Sequence, residues 1–303
     1  MSKLNHIKEA VVARLRFLIE AYYFYFRKNK GGLNIEILSD NQTIDKILLN
    51  HCSVARFGDG ELRVIFNEGN GFQDPNQELG KRLKEILFSQ EKNCLICLPI
   101  PMVNVSGFNF KAKRFWYSFM YDYQERLKDL FQGKQRVFGE TNFTRFYIDR
   151  LDKEASRKQI EKIMKIWEGR ELLIVEGETS RLGVGNDLFS KARSIRRILC
   201  PPTNAFSVYD RILEVTKKHA NKETLILIAL GMTATVLAYD LSLSGFQALD
   251  IGHIDIEYEW FLMGAKKKVP IPKKSVNECG RNIINEDVSD SSYLTSIAER
   301  IKL

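Results

Sequence analysis

The run "ETLILIALG" (223–231) limits the possible folds more than any other part of the chain. Its apolar residues do not alternate with polar ones, so neither face of a strand built from them can meet water. A strand of this kind belongs in a parallel sheet covered on both sides. "RELLIVEGE" (170–178) has the same character, and "IRRILCPP" (195–202) and "FQALDIG" (246–252) read as further strands. Between them, "SVYDRILEVTKKHA" (207–220) and "TATVLAYDLSLSG" (233–245) carry helical spacing, the second ended by a glycine. Strands that alternate with helices give a parallel sheet with right-handed crossovers. The predicted class is therefore α/β, a mainly parallel sheet flanked by helices.

The first half fits the same plan. "CSVARFG" and "NCLICLPI" are predicted strands, and "NQELGKRLKEILFSQ" (76–90) is an amphipathic helix with Leu79, Leu83, Ile86 and Leu87 on one face. "KAKRFWYSFMYDYQERLKDLF" (111–131) reads as an aromatic helix, and "QRVFGETNFTRFYID" (135–149) as a strand that runs into a polar loop. A helix within "IEILSDNQTIDKILLNH" is expected to be capped by Asn41 or Thr43. Three regions follow: residues 1–30 as an added amphipathic N-terminal helix, 35–265 as the main domain, and 266–303 as a basic, proline-broken C-terminal extension that is loosely held.

With 303 residues, of which 44% are hydrophobic and 28% charged, the chain has enough apolar material for a normal core. Its net charge of +8 suits an anionic partner: a nucleotide, a nucleic acid or an acidic membrane surface. Five cysteines without a signal peptide point to a reducing compartment, the cytoplasm. Cys94 and Cys97 have C-x-x-C spacing but lie in a predicted buried strand, so they are read as core thiols. The apolar stretch "FLIEAYYFYF" (17–26) contains Glu20 and is about half a membrane span. Residues 3–28 thus pack on the domain, associate with a second chain, or lie on the inner face of a membrane.

Several stretches carry chemistry. "VARFGDGE" (54–61) sets two carboxylates two residues apart. In an extended segment Asp59 and Glu61 would point the same way and could share a cation, with Gly60 leaving room for a ligand. "EGETSRLGVGNDLF" (176–189) reads as a glycine loop that opens a helix, where Arg181, Gly183, Gly185 and free N–H groups could meet a phosphate. Asn186 or Asp187 would otherwise simply cap that helix. Gly231 and Thr233 mark a second strand-to-helix junction. In open parallel sheets ligands bind beyond the carboxyl ends of strands, which favours a site common to both junctions. Arg145, in "GETNFTRFY", has the fork geometry that suits phosphate. "DIGHIDIEYEW" (250–260) places His253, Asp255, Glu257 and Glu259 just past a strand. "YEWFLMGA" does not alternate, so a helix from about residue 255 is expected, with Asp255 and Glu259 on one face.

Together, "RFGDGE", "FTRFY", "SRLGVGNDLF", "LGMTATVLAYDL" and "GFQALDIGHIDIEYEW" resemble a family of bacterial glycosyltransferases with the GT-D type fold, first catalogued as a domain of unknown function. The resemblance runs from about residue 50 to 262. It implies a Rossmann-like domain, a nucleotide-sugar donor, with UDP-glucose or UDP-galactose expected, and a divalent metal, Mn²⁺ or Mg²⁺. The family's D-x-E motif falls on Asp59 and Glu61. The expected nucleotide-sugar contacts are Arg56, Gly58, Arg145, Arg181, Gly183, Gly185, Asn186, Asp187, Gly231 and Thr233. Glu257 or Glu259 is the expected base on a glycan or glycoprotein acceptor, with His253 and Asp255 close by.

Two other classes stay open on these residues: a metal-dependent phosphoester hydrolase and a non-catalytic nucleotide-binding module. Nucleic acid is not an expected partner, because the basic runs "KAKR" and "KARSIRR" lack stacking aromatics at a recognisable spacing.

Overall fold

Leu225, Ile226, Leu227 and Ile228 are fully buried, and their strand lies between two parallel neighbours with apolar clusters on both faces. This is the environment that an unbroken apolar run requires. The computed structural model describes residues 3–26, 33–69, 73–279 and 290–303. Nine strands form one sheet: β1 (Glu36–Ile37), β2 (Ser53–Arg56), β3 (Cys94–Leu98), β4 (Val137–Glu140), β5 (Glu171–Gly177), β6 (Ser194–Cys200), β7 (Leu225–Ala229), β8 (Gln247–Asp250) and β9 (Ile297–Arg300). Every pairing is parallel, in the order β1-β4-β3-β2-β8-β7-β5-β6-β9.

The helices in the first half are α1 (Lys3–Phe26), α2 (Asp40–Asn50), α3 (Asp59–Ile65), α4 (Gln77–Leu87), α5 (Phe110–Asp122) and α6 (Gln124–Phe131). Those in the second half are α7 (Lys153–Met164), α8 (Tyr209–His219), α9 (Met232–Leu243), α10 (Ile254–Leu262) and α11 (Ser291–Ser296). They cover both faces. Trp167, Phe143 and Phe146 fill one side, and Phe57, Leu62 and Leu79 fill the other. Burying each such side chain stabilises the fold by about 1.5–3 kcal/mol or more. Two half-sheets, β1-β4-β3-β2 and β8-β7-β5-β6-β9, meet where β2 pairs with β8 at Val54 and Leu249. The crevice outside this seam is where an α/β sheet of this kind binds ligands.

The structure corrects four local expectations. Ser39, rather than Asn41 or Thr43, caps α2, in a reciprocal capping box with Gln42. Thr43 is instead buried within α2, and its hydroxyl accepts from the Glu140 amide at 2.8 Å. "GDGE" is not extended, since Gly58 is the N-cap of α3 and Asp59 its first residue. Residues 178–193 form turns and no helix. Buried Glu176 accepts from Leu182 N at 2.7 Å, and its partner Arg197 donates to Leu182 O at 2.8 Å. Backbone groups that a helix would pair internally are thus tied to side chains of β5 and β6.

The fourth correction concerns the tail. Residues 266–279 are not loosely held: Lys274 is buried and Ile271 and Val276 join the core. Residues 297–300 are the ninth strand, paired with β6. Cys94 and Cys97 are buried free thiols, as read from the sequence. Burial pushes the Cys94 thiol up to about 12.

Candidate active site

A cavity of about 820 Å³ opens at the carboxyl ends of the central strands. β2 delivers Arg56, Gly58, Asp59 and Glu61; β8 delivers Asp250, Gly252, His253 and Asp255. The β4 end contributes Asn142, Arg145 and Asp149, and the β7 end contributes Gly231 at the start of α9. Phe108, Phe115 and Trp116 form an aromatic wall. Lys268, Ser275 and Glu278 close the far side from the segment beyond residue 265.

Arg56 organises the floor. One guanidinium nitrogen donates to Thr144 Oγ1 at 2.6 Å and to Thr141 O at 3.3 Å; the other donates to Asp250 Oδ1 at 3.1 Å. Burial raises the Asp250 carboxyl while Arg56 opposes the shift. Glu61 accepts from Gly58 N at 2.6 Å, closing the start of α3. Burial, Asp250 and Asp59 together raise its carboxyl to about 7. Asp59 is more open and faces Arg63 at 3.5 Å.

Among the described residues no three His, Cys, Asp or Glu side chains gather closely enough to hold a metal ion by themselves. The two carboxylates that could contribute to a cation site here are Asp59 and Glu61, and a Mg²⁺ or Mn²⁺ held by so few protein ligands needs phosphate or water oxygens besides. Carboxylates that raise one another's proton affinity are also the groups whose repulsion a cation relieves.

Arg145 stands among acids: Glu278 at 2.9 Å, Asp149 at 3.6 Å and Glu257 at 3.7 Å. Burial works against its charge, but these three outweigh it and raise its pKa. Burial likewise opposes ionisation of Glu278, yet His253, 3.4 Å away, and Arg145 hold its carboxyl far below the usual range. Asp149 also meets Lys268 at 3.2 Å.

Half of the residues singled out from the sequence come together here. Arg56, Gly58, Asp59, Glu61, Arg145, Gly231, His253 and Asp255 line the cavity. Arg181, Gly183, Gly185, Asn186, Asp187, Thr233, Glu257 and Glu259 do not. Arg181 donates to Lys273 O at 2.8 Å, and so braces the closing segment. Gly183 N and Asn186 bind Asp255, Asn186 also binds Glu259, and Asp187 accepts from the Tyr258 hydroxyl. Gly183 has φ +72°, and a Cβ there would meet Phe189 at 2.5 Å, so its glycine serves local packing. Thr233 is buried inside α9.

The acidic cluster is helical, as expected, with Asp255 and Glu259 on one face. Both bind Lys274 at 2.7 Å. Glu257 points elsewhere and is fully buried, accepting from the amides of Tyr147 and Ile148 at 3.1 and 2.9 Å. It fixes the loop that carries Arg145 and Asp149, and in this structure it has no access to an acceptor.

Sequence reasoning missed Asp250, although a lone carboxylate ending a buried strand was a usable signal. Glu278 and Lys268 carried none, because their approach depends on how the chain folds back after α10.

The chain that builds this cavity is similar to known proteins. Residues 54–279 match the family described as "Glycosyltransferase GT-D fold". The chain belongs to this family. It is 40% identical over 269 residues to "Probable glycosyl transferase Gly" of Streptococcus gordonii, and over 268 residues to "Glycosyltransferase GlyD" of Streptococcus pneumoniae serotype 4. Each match covers 88% of this chain but only 39% and 33% of those longer proteins. The solved structure of domain of unknown function 1792, which has a distinct glycosyltransferase fold, is 42% identical with a TM-score of 0.84, covering 88% of this chain and 96% of that one. A glycosyltransferase from Streptococcus sanguinis is 40% identical with a TM-score of 0.84, covering 88% and 99%. The GT-D match ends at residue 279, so the segment that supplies Lys268, Lys274 and Glu278 is part of the family domain.

Proposed function

We propose that this GT-D protein transfers a hexose from a nucleotide sugar, UDP-glucose or UDP-galactose, to a hydroxyl of a glycan or glycoprotein. The observation that carries the reading is the convergence of Asp59, Glu61, Arg56 and Arg145 on one strand-end cavity. The donor diphosphate lies at the start of α9, where Gly231 is an N-cap with no side chain to bond the first turn. Arg145 supplies positive charge from the opposite wall. Asp59 and Glu61 would hold a divalent cation, which would supply positive charge against the leaving nucleoside diphosphate. The aromatic wall of Phe108, Phe115 and Trp116 offers apolar faces to sugar rings at the acceptor end.

Glu257 is sealed in the core, and Asp255 and Glu259 are committed to Lys274. We therefore assign the acceptor proton to Asp149, a carboxylate that lines the cavity beside Lys268 and Arg145. Five unpaired cysteines suit a reaction in the cytoplasm.

The test is a panel of nucleotide sugars with and without Mn²⁺ and a glycan acceptor, with nucleoside diphosphate as the readout. Release that needs both metal and acceptor supports transfer. Release without an acceptor identifies a hydrolase, and binding without release identifies a non-catalytic module.

A further inference from the structure

Helix α1 is apolar on two opposite sides, and the fold covers only one. On the inner side Phe24 is buried against Tyr117, and Phe17 meets Phe110 and Tyr117 with ring centroids 5.4 and 5.9 Å apart. Buried Glu20 accepts from Arg16, which also binds Asp122 of α5 at 2.8 Å. On the outer side Val11, Val12, Leu15, Leu18, Ile19, Tyr22 and Phe26 are 49–64% exposed. A helix that is apolar all round is normally covered all round.

We infer that this outer stripe pairs with the same stripe of a second copy of the chain. Three observations favour a helix as the occupant. Val11, Leu15, Leu18 and Tyr22 follow a 4-3-4 spacing, and Val12, Ile19 and Phe26 recur every seventh residue. An average period of 3.5 residues is the seam of a two-helix packing. The stripe also has the right size: seven such side chains at half exposure offer roughly 700–900 Å² per copy, the area of one side of a standard stable interface. Third, the basic residues are grouped before and after the stripe in sequence, Lys3 and Lys8 on one side and Arg27, Lys28 and Lys30 on the other. Within residues 11–26 the basic side chains are Arg14 and Arg16, and Arg16 is engaged by Asp122 and Glu20. A helix that lies on an anionic membrane carries lysines and arginines along its polar face, whereas the corresponding face of α1 packs on α5. A two-fold pairing would set two copies of the domain side by side. The family match begins at residue 54, so α1 lies outside it.

The test is the mass of the full chain in solution by light scattering across a concentration series, with Leu15→Glu/Leu18→Glu as the variant and vesicles of phosphatidylcholine and phosphatidylglycerol as the competing partner. A dimer that becomes a monomer in the variant, with an unchanged melting temperature and no vesicle binding by the parent chain, is the expected result. A melting temperature that falls with the dimer is settled by Leu18→Met, which keeps the apolar seam and must keep the dimer. A monomer at every concentration, a dimer that survives the double substitution, or a monomer that floats with the vesicles overturns the proposal.

Discussion

Arg56 and Asp250, which end the adjacent strands β2 and β8, form a 3.1 Å ion pair across the seam between the two half-sheets. Gly252, at φ +46°, leaves the space the guanidinium occupies: a Cβ there would lie 1.9 Å from its nitrogen. Both side chains are nearly buried, so removing one partner strands the other charge. Asp250→Ala is expected to lower stability by about 3–5 kcal/mol in urea titrations. Gly252→Ala should displace Arg56 and abolish turnover while costing about 1–3 kcal/mol, from backbone strain. A Gly252→Ala protein with parental activity would show that Arg56 can move without consequence.

The Asp59 and Glu61 pair gives a prediction that separates chemistry from folding. Asp59 is substantially exposed, and glutamine at position 61 can still accept from Gly58 N. Asp59→Asn/Glu61→Gln should therefore melt within a few degrees of the parent, yet lose the part of its activity that chelators remove from the parent and Mn²⁺ restores. Retained metal-dependent turnover would dissociate these carboxylates from the cation.

The two arginines expected at the phosphate should part company. Arg145 lines the cavity; Arg181 donates to Lys273 O and braces the segment that carries Lys274 and Glu278. By calorimetry Arg145→Ala should weaken UDP binding by about 1–3 kcal/mol, the scale of a lost charge-assisted hydrogen bond. Arg181→Ala should leave that affinity nearly unchanged and lower thermal stability instead. The reverse pattern would put the 178–185 turn on the nucleotide.

Arg181 also shows where reading from sequence stops. Strands such as 225–229 were legible because burial on two faces leaves a run with no polar residue, and the fold class follows from their alternation with helices. The 178–193 segment misled because a glycine loop after a buried strand reads as the opening of a helix, while the groups that hold it in turns, Glu176 and Arg197, come from two strands. The tail misled for a related reason. A basic, proline-broken run reads as solvated, and Lys274 is buried only because Asp255 and Glu259 wait for it on α10. Of the site, residues that follow strand ends in sequence were readable, and those delivered by the returning chain were not.

The last prediction sets Asp149 against Glu257. Both are carboxylates on or beside the loop after β4, and both neighbour Arg145. Glu257 is fully buried and accepts two backbone amides, so Glu257→Gln weakens the bonds that fix the loop carrying Arg145, while Glu278 and Asp149 still flank the guanidinium. It should lower stability by about 1–3 kcal/mol, and its loss of turnover should follow the loss of donor affinity because the loop that carries Arg145 shifts. Asp149 pairs with Lys268 and Arg145 and lines the cavity. Asp149→Asn should keep the melting temperature and the donor affinity, and reduce kcat by roughly 10²–10⁴-fold. Measuring kcat, donor Kd and Tm for both variants decides between the roles. If Asp149→Asn turns over at the parental rate, the acceptor proton goes elsewhere among the cavity carboxylates, and His253 with Glu278 becomes the next pair to replace.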